Sequence, residues 1–237
     1  MACGQPVHRP QYVPVRHDME EQILLTVFTD PMMGLSYESE PIMDALARRY
    51  GERLAIRYVM SVLVRDVSDF MTSAERALPP EQGILLYCKR LAQIYKSEES
   101  IGGLPINMED FRLFDPEHRS SRPLCLAYKA AQIVFPDKAE TFLLRLRHAT
   151  VQDCRPTTHE EEILAVARKS GIDEQAFLAA YRDGRAEAAL ERDFTLTRSM
   201  GIHSFPTYLL QCRDKGVLLQ SFDMNDFLTA IARITQN

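Results

Sequence analysis

The sequence predicts an α/β fold in which a βαβ unit and a later ββα unit form one sheet, with a large all-helical insertion between them. Two apolar and partly β-branched segments, Ile23–Thr29 and Leu54–Met60, flank a helical pattern over residues 36–50. This order is typical of parallel strands joined by a right-handed crossover. Strand character then disappears for well over a hundred residues and returns at residues 207–211.

The region between the two units carries apolar residues at helical spacing, and the C-terminal region is typical of a hairpin followed by a helix. The helical stripes lie at residues 84–95, 124–135, 142–146, 163–166, 177–181 and 190–194. Near the C-terminus we predict a turn at residues 213–216, a partner strand at 217–222 and a helix cap at Asp223. The predicted segments are an extended or disordered lead-in (1–20), an N-terminal half of the fold (21–64), the helical insertion with its return helix (65–200) and a C-terminal half (201–237).

The composition favours an ordinary globular protein and argues against nucleic acid or a membrane as a partner. Hydrophobic residues make up 46% of the 237 residues and charged residues 26%, and 33 acidic against 28 basic residues give a formal net charge of -5. No run approaches the roughly 20 apolar residues of a membrane helix, and residues 1–21 contain no apolar segment of a secretory signal. We therefore expect a cytoplasmic protein, and the sequence leaves its oligomeric state open.

The cysteines are too far apart to form a thiol motif or a metal site. No two of the five are closer than 29 residues, which excludes Cys-x-x-Cys and metal-finger spacing. They are Cys3, Cys88, Cys125, Cys154 and Cys212. In a reducing cytoplasm we expect free thiols with structural roles. The sequence predicts no metal site and no resident cofactor.

Two short motifs flank the insertion. Residues 30–37, after the first strand, are Asp-Pro-Met-Met-Gly-Leu-Ser-Tyr, and residues 201–207, before the third strand, are Gly-Ile-His-Ser-Phe-Pro-Thr. Together with Pro-Leu-Cys at residues 123–125, they resemble the DsbA family, particularly its cytoplasmic FrnE-like members of the predicted protein-disulfide isomerase group. The active-site segment of those proteins is approximately Asp-Pro-Met-Cys-x-Trp-Cys-Trp. The resemblance covers roughly residues 24–222 and implies a thioredoxin fold with a DsbA-like insertion and a cis bond between Phe205 and Pro206.

The resemblance places Met33 and Ser36 at the two cysteine positions, so we do not expect the disulfide chemistry of the family. Disulfide exchange needs a thiolate that attacks sulfur and a second thiol that releases the mixed disulfide. The Met33 thioether cannot ionise, and the Ser36 hydroxyl is expected to cap the helix. Cys125 is expected to pack inside the insertion. His203 lies near the predicted cleft, either as a proton carrier or, more often for a lone loop histidine, as an exposed residue without a role.

The first functional hypothesis is a redox-inactive DsbA-like protein that binds a peptide, a protein partner or a small apolar ligand at the groove beside the cis-proline. Certain ClpXP adaptor proteins are related to DsbA, which makes partner presentation a role by analogy. We expect the groove to be apolar and partly exposed, and we assign no catalytic residue. The predicted groove residues are Met32, Met33, Leu35, Ser36, His203, Phe205 and Pro206.

Two enzymatic alternatives stay open. One is a protein disulfide oxidoreductase or isomerase, as the family implies, and the other is a glutathione-dependent transferase or isomerase of the kappa type. Kappa-class enzymes share the architecture and carry Ser-Pro-Tyr-Ser at the turn. Ser36 matches their second serine, but the serine that activates glutathione falls at Met33, which has no hydrogen-bond donor. Glutathione is expected as a cofactor only under this alternative.

Overall fold

The computed structural model describes residues 22–236, and the predicted lead-in over residues 1–20 lies outside this range. The strands are Ile23–Thr29 (β1), Leu54–Met60 (β2), Thr207–Cys212 (β3) and Lys215–Leu219 (β4). The α-helices are Gly34–Glu38 (α1), Glu40–Tyr50 (α2), Ser73–Arg76 (α3), Pro80–Gly102 (α4), Arg122–Val134 (α5), Pro136–Val151 (α6), Glu160–Lys169 (α7), Glu174–Arg182 (α8), Arg185–Ser199 (α9) and Met224–Thr235 (α10). No helix within the described range is both long and apolar enough to cross a membrane.

The four strands form one mixed sheet in the order β2-β1-β3-β4. β1 and β2 run parallel, with Val27 opposite Tyr58, whereas β3 is antiparallel to both β1 and β4. The chain passes from β1 to β2 through α1 and α2, and from β2 to β3 through seven further helices, α3 to α9. This arrangement confirms the predicted thioredoxin fold with a helical insertion. The residue boundaries of the predicted segments stay a prediction.

The helix predicted over residues 36–50 is two helices, α1 and α2, which meet at Ser39. The reason is Pro41, which lies in the first turn of α2. A proline has no N–H to donate to the carbonyl four residues earlier, and its ring collides with that carbonyl in a continuous helix. The chain therefore bends at Ser39 and starts a new helix.

The C-terminal hairpin confirms the prediction, with a shorter turn than expected. Lys215 already pairs with Cys212, so the connection is tighter than the predicted turn at residues 213–216. Such short connections suit the twist of antiparallel strands. Asp223 caps α10 as predicted, because its side chain accepts a hydrogen bond from the backbone N–H of Asn225.

A buried ion pair ties the insertion to the sheet. Lys129 on α5 and Asp193 on α9 are both almost fully buried, and their charged atoms are 2.5 Å apart. Asp193 also accepts a hydrogen bond from the backbone N–H of Met60, at the end of β2, at 2.8 Å. Because a buried charge without a partner is costly, this contact favours the placement of α5 and α9 beside β2.

The apolar core has two large parts. One lies among the helices of the insertion and includes Phe142 and Met32. The other lies between the sheet and the helices that cover it, and includes Leu25 and Phe227. Met32 follows β1 in sequence yet packs with the insertion, so the turn after β1 lies where the two parts of the core meet.

Candidate functional site

A buried aspartate organises the turn that follows β1. Asp30 is fully buried, and its Oδ1 accepts a hydrogen bond from the N–H of Met32 at 3.0 Å. Its Oδ2 accepts hydrogen bonds from the N–H of Leu63 at 2.9 Å and from the hydroxyl of Ser121 at 2.6 Å. Burial raises the pKa of Asp30, and these hydrogen bonds act against that rise. One carboxyl group thereby joins the turn to the chain after β2 and to the start of α5.

Met33 and Ser36, which the resemblance places at the two cysteine positions of the family, are both buried. Met33 is 5% exposed and immediately precedes α1. The Ser36 hydroxyl shares a hydrogen bond of 2.6 Å with the hydroxyl of Thr29 and lies 3.9 Å from Sδ of Met33. The expected helix cap at Ser36 is wrong, because α1 begins at Gly34 and Ser36 therefore lies inside the helix. A capping side chain must precede the first helical residue.

Helix α4 of the insertion covers the turn, so the expected partial exposure of Met32 and Met33 is wrong. The hydroxyl of Tyr95 on α4 donates to the carbonyl of Met32 at 2.6 Å. A Cβ atom placed on Gly34 would lie only 2.1 Å from Oε2 of Glu98. The missing side chain at Gly34 therefore allows α4 to approach the turn as closely as it does.

Cys125, on α5, packs beneath the turn and against the sheet, and not within the helical core of the insertion as expected. Its Sγ donates to Oδ2 of Asp30 at 3.6 Å, and its side chain belongs to the core beside the sheet. The cause is Ser121, whose bond to Asp30 draws the start of α5 to the turn. Burial and the neighbouring Asp30 carboxylate raise the pKa of the Cys125 thiol well above its usual value. Cys125 is neither accessible nor ionised, so it cannot replace a missing nucleophile.

An apolar cavity of about 250 Å³ lies between the turn, α4 and the loop before β3. We call it the turn pocket. Met32, Met33 and Leu35 line it from the turn, and Phe205 lines it from the loop before β3. The insertion forms its other walls, among them Phe70, Tyr87, Ile94 and Glu98.

The other three predicted groove residues lie outside the turn pocket. Ser36 is buried inside α1. Pro206 is buried, and the Phe205–Pro206 peptide bond is cis. His203 is exposed and lines a separate, shallow depression beside the end of β4. The structure therefore separates His203 from the four predicted residues that share the pocket.

Glu98 supplies a polar group to the turn pocket that the predicted groove does not include. Its Oε2 is buried and has no hydrogen-bond partner among residues 22–236. Burial raises the pKa of Glu98 to about 7, repulsion by the Glu38 carboxylate adds to the rise, and a hydrogen bond from the backbone N–H of Leu35 acts against it. A signal is present in the sequence: the apolar stripe at positions 84, 88, 91 and 95 continues to position 98, which places a glutamate on an apolar face.

Arg90 also lines the turn pocket, but its charge is already compensated. Its Nε and Nη2 donate to the Glu75 carboxylate at 3.0 and 2.9 Å, and Nη2 also donates to the carbonyl of Phe70 at 2.8 Å. The hydrogen bonds from Arg90 lower the pKa of Glu75 to about 2. Arg90 is therefore held by Glu75 and the carbonyl of Phe70, and it supplies no charge partner to Glu98.

Exposed apolar side chains border the turn pocket. Phe70 and Ile94 line it, and each is 44% exposed. Among residues 22–236, no cysteine lines the pocket, and the group with metal-ligating geometry lies elsewhere, at Asp115, His118 and His159. Large exposed apolar side chains beside an apolar cavity are typical of a binding surface. The arrangement therefore suits recognition and lacks the thiols that disulfide exchange requires.

The sheet order, the helical insertion and the position of the turn define a DsbA-like protein of the thioredoxin fold. A family model described as thioredoxin matches residues 26–229, and the chain belongs to this family. Solved structures agree. A Nitrosomonas europaea protein provisionally described as a protein disulfide isomerase is 15% identical with a TM-score of 0.71, covering 90% of this chain and 98% of that chain. The cytosolic disulfide reductase DsbM from Pseudomonas aeruginosa is 21% identical with a TM-score of 0.61, covering 89% and 98%. These similarities confirm the DsbA-like resemblance seen in the sequence.

Two curated relatives are both named ClpXP adapter protein SpxH. The protein from Halalkalibacterium halodurans is 26% identical over 182 residues, which are 77% of this chain and 56% of the relative. The protein from Shouchella clausii is 25% identical over 211 residues, which are 87% of this chain and 62% of the relative. The chain therefore spans less than two thirds of the length of either relative.

Proposed function

We propose that this protein is a redox-inactive DsbA-like protein that binds a segment of a protein partner in the turn pocket. One observation carries the proposal: the turn that the resemblance aligns with the family's catalytic cysteines forms the wall of an apolar cavity, with Met33 in that wall and no thiol contributed by residues 22–236. Disulfide exchange needs two thiols. Recognition needs an apolar cavity with a few well-placed polar groups, and the turn pocket meets that requirement.

The size of the turn pocket favours one side chain of a protein partner over a whole small ligand. Sites for drug-sized ligands are typically about 300–1,000 Å³, whereas this cavity is about 250 Å³. Outside it, the exposed faces of Phe70 and Ile94 continue the apolar surface. A peptide segment with a large apolar side chain can therefore insert that side chain and rest its neighbouring residues on this rim.

Glu98 favours a bound segment that carries a hydrogen-bond donor. Its Oε2 is buried without a hydrogen-bond partner in the described chain. The backbone N–H of Leu35 offsets only part of the cost of burying this carboxylate, because the pKa of Glu98 is still raised. A donor on the partner, such as a lysine ammonium group, would offset this cost on binding. We therefore expect the recognised segment to carry a large apolar side chain with a lysine or another donor beside it.

The names of the curated relatives support a protein partner over a small ligand. Both are ClpXP adapter proteins, and an adapter acts by holding another protein. Binding of a protein is the part of this role that we extend to the present chain. A cytoplasmic location belongs to the same proposal and is supported by the free thiols at Cys88, Cys125, Cys154 and Cys212, which are typical of a reducing compartment.

The test compares two isoleucines of α4 that are about equally exposed. Ile94 is 44% exposed and lines the turn pocket, whereas Ile101 is 41% exposed and does not. Tagged wild type, Ile94→Asp and Ile101→Asp are used to capture proteins from the source lysate, and each captured protein is quantified by mass spectrometry. We expect Ile94→Asp to weaken capture of the specific partner about tenfold or more, which corresponds to a loss of at least ~1.4 kcal/mol of binding free energy. Ile101→Asp should retain it, and equal capture by all three proteins would place the working surface elsewhere.

Two assays separate this proposal from the enzymatic alternatives. With dithiothreitol as reductant, the protein should not accelerate insulin reduction above buffer. Acceleration that is lost in Cys125→Ala would instead support a disulfide oxidoreductase. Retention on immobilised glutathione, with release by free glutathione, would support the kappa-type alternative.

A further inference from the structure

Two histidines and one aspartate meet where the segment between α4 and α5 contacts the start of α7. Asp115 and His118 belong to that segment, and His159 immediately precedes α7. Oδ2 of Asp115 is 3.0 Å from Nδ1 of His118 and 2.8 Å from Nε2 of His159. The metal-ligating atoms of the three side chains all lie within 4.8 Å of one another. We call this group the Asp–His cluster; none of its members lines the turn pocket.

We propose that the Asp–His cluster binds a divalent transition-metal ion, for which Zn²⁺ is the best match. Two imidazoles and one carboxylate are a ligand set that proteins use for zinc and other first-row metals. Ligand atoms lie about 2.0–2.2 Å from Zn²⁺, which separates tetrahedral ligands by roughly 3.3 Å. The two contacts of Asp115 therefore need to lengthen by only a few tenths of an ångström. The stacked imidazole rings, whose centroids are 3.7 Å apart, would separate as they turn toward the ion.

The Asp115 carboxylate is already oriented as a ligand. Its Oδ1 accepts hydrogen bonds from the backbone N–H groups of Glu117 at 2.7 Å and His118 at 2.8 Å and also lies 3.1 Å from Nδ1 of His118. Its Oδ2 contacts both imidazoles.

His159 has an outer partner that favours the correct ring nitrogen. Its Nδ1 is 3.5 Å from the carboxylate of Glu161. A carboxylate on one nitrogen orients the ring and leaves the other nitrogen, here Nε2, for the metal. Nε2 is the atom that points at Asp115.

Three protein ligands leave at least one coordination position open, and the structure has space beside it. A cavity of about 320 Å³ is lined by Asp115 and His159 together with Arg112 and Glu81. Water, or a small anion held near Arg112, can complete the coordination shell. The ion would tie residues 104–121, which contain no helix or strand, to the start of α7.

The alternative is a hydrogen-bonded Asp–His–His network without metal affinity, and a titration distinguishes the two. The full chain is stripped with a chelator and titrated with Zn²⁺ alone in a calorimeter. Asp115→Asn, His118→Ala and His159→Ala each remove one ligand, and His203→Ala, an exposed loop histidine, is the matched control. Asp115→Asn keeps the size and the backbone contacts of the native side chain, so it provides a variant that is expected to fold.

The readout is the difference in Zn²⁺ stoichiometry and affinity between each variant and wild type. A difference is needed because Cys3, His8 and His17 are further potential zinc donors in the sequence. We expect each cluster variant to bind one equivalent of Zn²⁺ fewer than wild type, or to bind it more than about tenfold more weakly, since even outer-shell substitutions cost 10–100-fold. His203→Ala should match wild type. The absorption spectrum of Co²⁺ bound to wild type should also change in the cluster variants. Unchanged stoichiometry and affinity in all three variants, or no Zn²⁺ binding by wild type, would overturn the proposal.

Discussion

Replacement of Glu98 by glutamine tests the polar group of the turn pocket. In the folded protein, burial and then repulsion by Glu38 raise the pKa of Glu98 from 4.5 to about 7. Below pH 4.5 the carboxyl group is protonated in both the folded and the unfolded states, so its ionisation does not lower the free energy of unfolding. As the pH rises from about 4.5 to about 7, the unfolded state loses this proton while the folded state still holds it, so stability falls over this range and levels off above about pH 7.

The size of this loss follows from the pKa values. A rise from 4.5 to about 7 corresponds to about 3 kcal/mol, because each pKa unit is worth about 1.4 kcal/mol. Glu98 is only partly buried, and solvent screens part of this energy, so we expect about 1–2 kcal/mol. Glutamine keeps the size and removes the charge. The free energy of unfolding of Glu98→Gln should exceed that of wild type by this amount at about pH 8.5, and by clearly less at about pH 5.

Urea denaturation followed by circular dichroism at the two pH values measures the effect. Glu52→Gln is the control, because Glu52 is exposed and away from the turn pocket; its difference from wild type should not depend on pH. Equal stability of Glu98→Gln and wild type at both pH values would refute the reasoning. The Glu98 carboxylate would then be well solvated, and the turn pocket would not require a donor from its partner.

Two further variants test the packing and the turn. Lys129→Met leaves the buried carboxylate of Asp193 without its cation. The free energy of unfolding, measured in urea, should therefore fall by about 3–5 kcal/mol. A loss under about 1 kcal/mol would show that the pair does not hold the insertion to the sheet. The double substitution Met33→Cys with Ser36→Cys should form an intramolecular disulfide, detected by mass spectrometry after alkylation, because the Ser36 hydroxyl already lies 3.9 Å from Sδ of Met33. A double variant that stays reduced under oxidant would mean that this turn does not correspond to Cys-x-x-Cys.

The order of strands and helices could be predicted because it depends on local patterns. Short apolar runs predicted β1, β2 and β3, and apolar residues at helical spacing predicted the long insertion. The cap at Asp223 followed from the same local chemistry. The break between α1 and α2 was equally predictable, since Pro41 excludes a continuous helix. These features need no knowledge of distant residues.

The candidate site could be predicted only in part. The motifs located Met32, Met33, Leu35 and Phe205, and these four residues do line one cavity. The position of Cys125 could not be predicted, because it depends on a contact with Asp30, which lies 95 residues earlier in the chain.

The sequence by itself determined the order of elements of a thioredoxin fold and the side chains of the turn after β1, Met33 and Ser36, which the resemblance places at the family's cysteine positions. Only the tertiary structure decided what surrounds those groups. It buried Met33 under α4, placed the Glu98 carboxyl group beside an apolar cavity, and brought Asp115 to within hydrogen-bond distance of His159. The physical reason is that exposure, pKa and ligand geometry depend on all atoms within a few ångströms. In a folded chain those atoms belong to elements that are far apart in sequence, and no local pattern contains them.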